Sequence, residues 1–166
     1  MTEPSARRLT GADAPDWQRL RLEALSTYPE AFLTTHDEAA AVPISAIAKR
    51  LDTGHTLGVF QDTAMVGIGS LNQLTKAQTK HRAEIGAFFV RPAAQGTGAA
   101  AALMEAMAEG AQQIGVRQLE LYVAASNTRA IAFYTRAGFR EVGQIPNATL
   151  SNGVFETDLI MVRELS

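Results

Sequence analysis

The chain has 166 residues, 46% hydrophobic and 19% charged, with a net charge of −2 and a pI of about 5.9. That length fits a single domain, 1–166, with a real core, and a mildly acidic balance argues against a nucleic-acid partner. The absence of cysteine rules out disulfides, thiolate metal sites and a cysteine nucleophile, and no apolar run reaches the ~18 residues of a membrane span. A soluble cytoplasmic protein with no metal and no membrane partner is expected. In chain order, Ala6 to Leu9 reads as a first strand. Asp13 is placed to cap a helix whose first turn tolerates Pro15. Trp17, Leu20, Ala24 and Leu25 share one face of that helix, and Pro29 breaks it. Ala31 to Val42 has no clear period. Ile44, Ile47, Ala48 and Leu51 restore helical spacing up to Gly54. Strands follow at Leu57–Gln61 and Met65–Leu74, joined tightly by Asp62 and Thr63, and then at Arg82–Val90.

Pro92 ends that strand because it has no N–H to donate. Gln95-Gly96-Thr97-Gly98 then opens a helix begun by Ala99 and Ala100. A glycine turn at a helix mouth offers unpaired N–H groups at the positive end of the dipole, which suits phosphate. Leu103, Ala106, Met107, Ala111 and Ile114 mark the buried face of this helix, and Gly115 its left-handed end. Leu119, Leu121 and Val123 alternate with Glu120 and Tyr122 as in a strand. Ser126 or Asn127 caps a last helix through Ala130, Phe133, Tyr134 and Ala137, which Gly138 ends. Arg140–Ile145 and Phe155–Leu165 read as closing strands around a turn-rich Pro146–Gly153. The class is α+β with one strand–helix–strand crossover at the glycine turn.

Two segments carry a resemblance. Gln95-Gly96-Thr97-Gly98-Ala99-Ala100 and Asn127-Thr128-Arg129-Ala130-Ile131-Ala132-Phe133-Tyr134-Thr135-Arg136-Ala137-Gly138-Phe139 resemble the phosphate motif and a downstream motif of the GNAT acyl-CoA-dependent N-acyltransferases. They are separated, as in that family, by a helix and a strand. The resemblance implies a mixed, mostly antiparallel seven-stranded sheet flanked by about four helices, with a splayed central strand pair. It implies acetyl-CoA as cosubstrate, a small-molecule amine as acceptor, and a homodimer. The diphosphate would meet the amides from Gly96 through Thr97, Gly98 and Ala99 to Ala100, with Gln95 adding a side-chain donor. By the same resemblance the pantetheine arm would run along Phe88, Phe89 and Val90, bonding main-chain groups as a strand does. Asn127, Ala130 and Phe133 would line the arm.

Tyr134 stands where the family places the acid for the departing thiolate, and Glu84 is the candidate base, assigned the same side-chain parity as Val90. Each has a plainer reading, Tyr134 as a core aromatic and Glu84 as a solvated strand residue. His81 reads as a surface residue, and His36 and His55 carry no motif. Gly96 to Ala101 also fits a dinucleotide fingerprint with Glu120 downstream, but three strands precede the glycines where that fold needs one. No Lys-Ser or Lys-Thr follows them, which disfavours a phosphate-binding NTPase loop. The expected function is N-acetyl transfer to a free amino acid or other small amine. A non-catalytic acyl-CoA sensor and a protein N-terminal or lysine acetyltransferase stand as alternatives.

Overall fold

The computed structural model describes residues 2–166. Its strands are β1 (Ser5–Arg8), β2 (His55–Gln61), β3 (Ala64–Gln73), β4 (Arg82–Val90), β5 (Gln118–Ala124), β6 (Arg140–Ser151) and β7 (Val154–Glu164). They form one sheet in the order β1-β2-β3-β4-β5-β7-β6. Every neighbouring pair is antiparallel except β4 and β5, which are parallel across the crossover. The helices are α1 (Ala14–Thr27), α2 (His36–Ala40), α3 (Ile44–Thr53), α4 (Ala99–Gln113) and α5 (Thr128–Arg136).

The sheet is covered on both faces. On one, Leu103, Met104, Met107 and Ala111 of α4 pack on Val59, Ile85, Leu119 and Leu121, and the half-buried residues of α5 join them. On the other, Trp17, Leu20 and Ala24 of α1 and Ile47 and Leu51 of α3 pack on Met65, Ile68 and Phe89.

Two features of β4 shape the middle of the molecule. Its ladder with β5 stops at Glu84↔Glu120, so from Ile85 to Val90 it has β3 on one side and no strand on the other. This is the splayed central pair that the family resemblance implied. The strand also bulges: Phe89 pairs with Ile68 and Gly86 with Ser70, so three steps of β4 span two of β3. Ala87 sits in the bulge at φ +51°, a conformation disfavoured for a residue with a Cβ. The extra residue reverses the alternation. Ala83, Ile85 and Val90 all face α4, while Phe89 faces α1 and α3. Glu84 therefore does not share a face with Val90, as unbroken alternation predicts; it lies on the α1–α3 face.

Other departures are local. The unperiodic Ala31–Val42 stretch holds α2, fixed by a capping box. Glu38 N–H donates to Thr35 Oγ1 at 3.2 Å, and Thr35 N–H donates to the Glu38 carboxylate at 2.8 Å. The described residues thus hold five helices, in keeping with the about four expected. Asp13 precedes α1 without capping it; its carboxylate takes Arg7 and the Thr10 N–H instead. The turn-rich Pro146–Gly153 is largely strand. β6 runs through it with a bulge between Ile145 and Thr149, and only Asn152 and Gly153, at φ +51° and +76°, make the turn. That is a two-residue hairpin of the Asn-Gly kind.

Candidate active site

The glycine turn forms as expected. Gly96 and Gly98 lie at φ +79° and +90°, and Gly98 begins α4 without any side-chain cap. A Cβ at either position would meet nothing within 4 Å, so the space before the helix mouth is open. A groove of about 330 Å³ occupies it, lined by Gly96, Gly98, Ala100, Ala101 and, from α5, Phe133 and Arg136. Backbone donors and a guanidinium thus border one concavity, a combination suited to a diphosphate. Arg136 was not identified from the sequence. It lies inside the downstream motif, two residues after Tyr134, and a cation on the last turn of α5 was the available signal.

The remaining turn residues do not face that groove. The Gln95 amide donates to the Val90 carbonyl at 3.3 Å, and the Thr97 hydroxyl donates to the Ala94 carbonyl. Ala99 is fully buried. Asn127 caps α5, its Oδ1 accepting the Ala130 N–H at 3.2 Å.

An aromatic cluster stands beside the gap between β4 and β5. Phe88 stacks on Phe133 with ring centroids 5.6 Å apart. Tyr134 meets Phe88, Phe133 and Phe139 edge-on at 6.0, 5.5 and 5.8 Å. Burial among these rings pushes the Tyr134 phenol well above its ordinary pKa of about 10, so it stays protonated throughout the physiological range. No residue of α5 is fully buried, although Ala130, Phe133 and Tyr134 pack against the core. Its apolar face is only half covered by protein. Phe89, by contrast, turns its ring into the other core against Tyr28, so only its main chain borders the gap.

On the α1–α3 face, Glu84 is exposed at the last paired rung, opposite Glu120. Partial desolvation, then the Glu120 charge, raise its pKa. Glu120 is buried and held ionised by Arg82, whose Nη2 donates at 2.7 Å while its Nε also donates; Gln118 adds a bond at 3.1 Å. A second cavity, of about 520 Å³, opens on this face between α1, α3 and the strands, reaching Asn72, Gly86 and Ala87. The β4 bulge therefore borders a cavity on one face, while the aromatic cluster and the glycine groove lie toward the other. Arg91 ties the end of β4 to α1. At the strand exit it pairs with Glu23 of α1, with N···O distances of 2.7 and 2.9 Å.

The geometry is that of an acyl-transfer fold, and comparison with known proteins agrees. The acetyltransferase (GNAT) family model matches residues 17–139, and the chain belongs to that family. A mycothiol acetyltransferase of Sanguibacter keddieii is 33% identical over 131 residues, covering 78% of this chain and 41% of that protein. One from Brachybacterium faecium is 29% identical over 153 residues, covering 84% and 46%. The chain thus spans less than half the length of these curated relatives. Among solved structures, a GNAT-family acetyltransferase of Streptococcus pneumoniae superposes with a TM-score of 0.86 at 20% identity, over 99% of this chain and all of that one. The Salmonella typhimurium protein yncA, solved with its cofactor acetyl-CoA, does so at 0.80 and 18%, over 99% and 95%. At these identities the structures establish the fold.

Proposed function

We propose that the chain transfers an acetyl group from acetyl-CoA to a primary amine of a small molecule, by direct attack within a ternary complex. The observation that carries this reading is the single opening in the sheet between β4 and β5. It has a groove at the mouth of α4, lined by Arg136 and by Glu105 (itself paired with Arg163), and an aromatic wall toward one face, and a cavity of small-molecule size on the other. In this reading the carrier's diphosphate meets the amides at the mouth of α4 and Arg136. Its arm follows the unpaired edge of β4 past Phe88 to Val90, flanked by Ala130 and Phe133. The acetyl group arrives at the Ala87 bulge, where a β4 backbone N–H serves as the oxyanion donor.

The amine must be neutral to attack. An unperturbed lysine-type amine, pKa ~10.4, is neutral only about once in a few thousand at pH 7, and an α-amine, pKa ~8, about a tenth of the time. Glu84, directly or through water, takes that proton. As the N–C bond forms and the C–S bond breaks, the Tyr134 hydroxyl donates a hydrogen bond to the leaving sulfur, and the second proton shed by the acylated nitrogen passes through water to that sulfur, releasing the free thiol and the amide. Its raised pKa favours sharing the proton over giving it up. Asn127 keeps its Oδ1 for the helix and has its amide N–H groups for the carrier.

A cytoplasmic location and a homodimer complete the reading; exposed Leu150, Val154 and Phe155 on the β6–β7 hairpin support the dimer. The test is thermal shift with acetyl-CoA against NAD, followed by acetyl-CoA consumption over amino acids, polyamines, antibiotics and peptides. Stabilisation by acetyl-CoA and turnover on small amines are expected. Binding without acylation of any amine would favour the sensor reading, and turnover on peptides alone would favour a protein acetyltransferase.

A further inference from the structure

The cavity between α1, α3 and the strands contains charge that the chain itself does not answer. Arg21 of α1 and Arg50 of α3 both line it. Among the described residues, Arg7, Arg19, Arg82, Arg91, Arg140 and Arg163 each reach a carboxylate, whereas neither Arg21 nor Arg50 does. The Arg21 Nη1 is buried with no hydrogen-bond partner, as is the Trp17 indole Nε1 on the same wall. Glu38 is the carboxylate on the cavity lining, but it accepts the Thr35 N–H in the capping box of α2.

Both guanidinium groups are held by aromatic faces. Arg21 Cζ lies 4.9 Å from the Phe32 ring centroid and Arg50 Cζ 5.1 Å from that of Trp17. Contact with a ring occupies the flat face of a guanidinium and leaves its in-plane N–H donors unspent. A packing arginine sends its head to water, whereas Arg21, half-buried, keeps Nη1 inside. Burial and the neighbouring Arg50 charge both work against its ionised form. Two like charges with free donors, outnumbering the one carboxylate on the lining and paired with none, match an oxyanion that arrives with the ligand.

We infer that the acceptor carries an oxyanion, a carboxylate or a phosphonate, bound by Arg21 and Arg50 in the cavity that also reaches the β4 bulge. This rests on the acceptor role given to that cavity above. It selects amino acids and their analogues from the small amines, and it disfavours polyamines and aminoglycosides, which bring only further positive charge.

The test compares L-amino acids and aminophosphonic acids with the corresponding amino-acid amides, by initial rates with acetyl-CoA and by calorimetric binding. The anionic compounds should exceed their amides in kcat/KM by about tenfold or more, the penalty expected when a buried donor loses its partner. Whichever anion does better identifies the group. Arg21→Met should raise KM for the anionic acceptor by a similar factor, leave kcat nearly unchanged and leave the amide unaffected. If Arg21→Met does not fold, Arg50→Gln, at an exposed position on α3, should act in the same direction. Equal use of acids and amides by an active wild-type protein would overturn the inference, as would a variant that shifts both acceptors alike. Binding that depends on Arg21 without any acetylation would uphold the inference and defeat the catalytic reading. Neither binding nor turnover would defeat both.

Discussion

Tyr134 and Glu84 stand on opposite sides of the sheet opening, and their surroundings move both pKa values upward for different reasons. Aromatic burial keeps the Tyr134 proton in place, so in the proposed reaction the phenol would act on sulfur without titrating. Tyr134→Phe should preserve acetyl-CoA binding and slow turnover at least about tenfold, the usual scale for one positioned proton donor; unchanged turnover would remove the role. Glu84 is raised by desolvation and the Glu120 charge, so it becomes fully ionised only above the ordinary carboxylate range. The acid limb of kcat/KM should therefore lie above about pH 4.3 and move or vanish in Glu84→Gln. The sign for stability is the reverse of the usual acidic residue. Because the folded pKa is raised, Glu84 favours the folded state below its unfolded pKa and loses that contribution as pH rises through the folded value. The identities of both residues could be read from the chain. The face on which Glu84 lies could not, because one residue at Ala87 breaks an alternation that otherwise looks continuous from Ala83 to Val90.

The mouth of α4 and the lower rungs of β4 and β5 are the elements that hold the site. Gly98→Val would force a β-branched residue to φ +90°, at a cost of roughly 1–3 kcal/mol. It would also put a side chain where the groove is now open; acetyl-CoA affinity, measured by calorimetry, should fall at least about tenfold. At the base of the splay, Arg82→Met would leave buried Glu120 without its main partner, lowering stability by about 1–3 kcal/mol in urea unfolding at pH 7. The wild-type pair contributes above the unfolded carboxylate pKa and loses that contribution as pH falls through the lowered folded value. In the variant the desolvated carboxyl should titrate higher, so its stability should instead improve on acidification. The long periodic elements were legible because a strong pattern survives small errors of boundary. α2 was not, since five residues give no period, although Thr35 and Glu38 already spelled a capping box. The β6–β7 turn was drawn too wide because Pro146 and Asn147 look like loop; only Asn152-Gly153, at the end of the expected Pro146–Gly153 stretch, makes it.

Across the whole molecule, the two halves of the sheet are unequally covered. α1 and α3 shield β2 and β3, whereas the far hairpin leaves Leu150 61%, Val154 58% and Phe155 60% exposed. A homodimer through this hairpin should appear in sedimentation equilibrium and dissociate in Phe155→Glu, because a charge at a buried apolar contact is strongly unfavourable. Survival of the dimer in that variant would move the interface elsewhere. The open turn at the mouth of α4 and the capped start of α5 were readable from the glycines and from Asn127, because backbone requirements leave marks in sequence. The proposed acceptor cavity was not, since Arg21 and Arg50 lie on separate helices with no spacing that announces them. The doubled step at Ala87 has one more outcome. It acts as a swivel within a single ribbon: even-numbered Glu84 and Gly86 ahead of it lie toward one chamber, and even-numbered Val90 beyond it lies toward the other. If the proposed reaction holds, changes at Glu84 or Gly86 should retune which molecule is accepted and leave the donor side, at Val90, as it is.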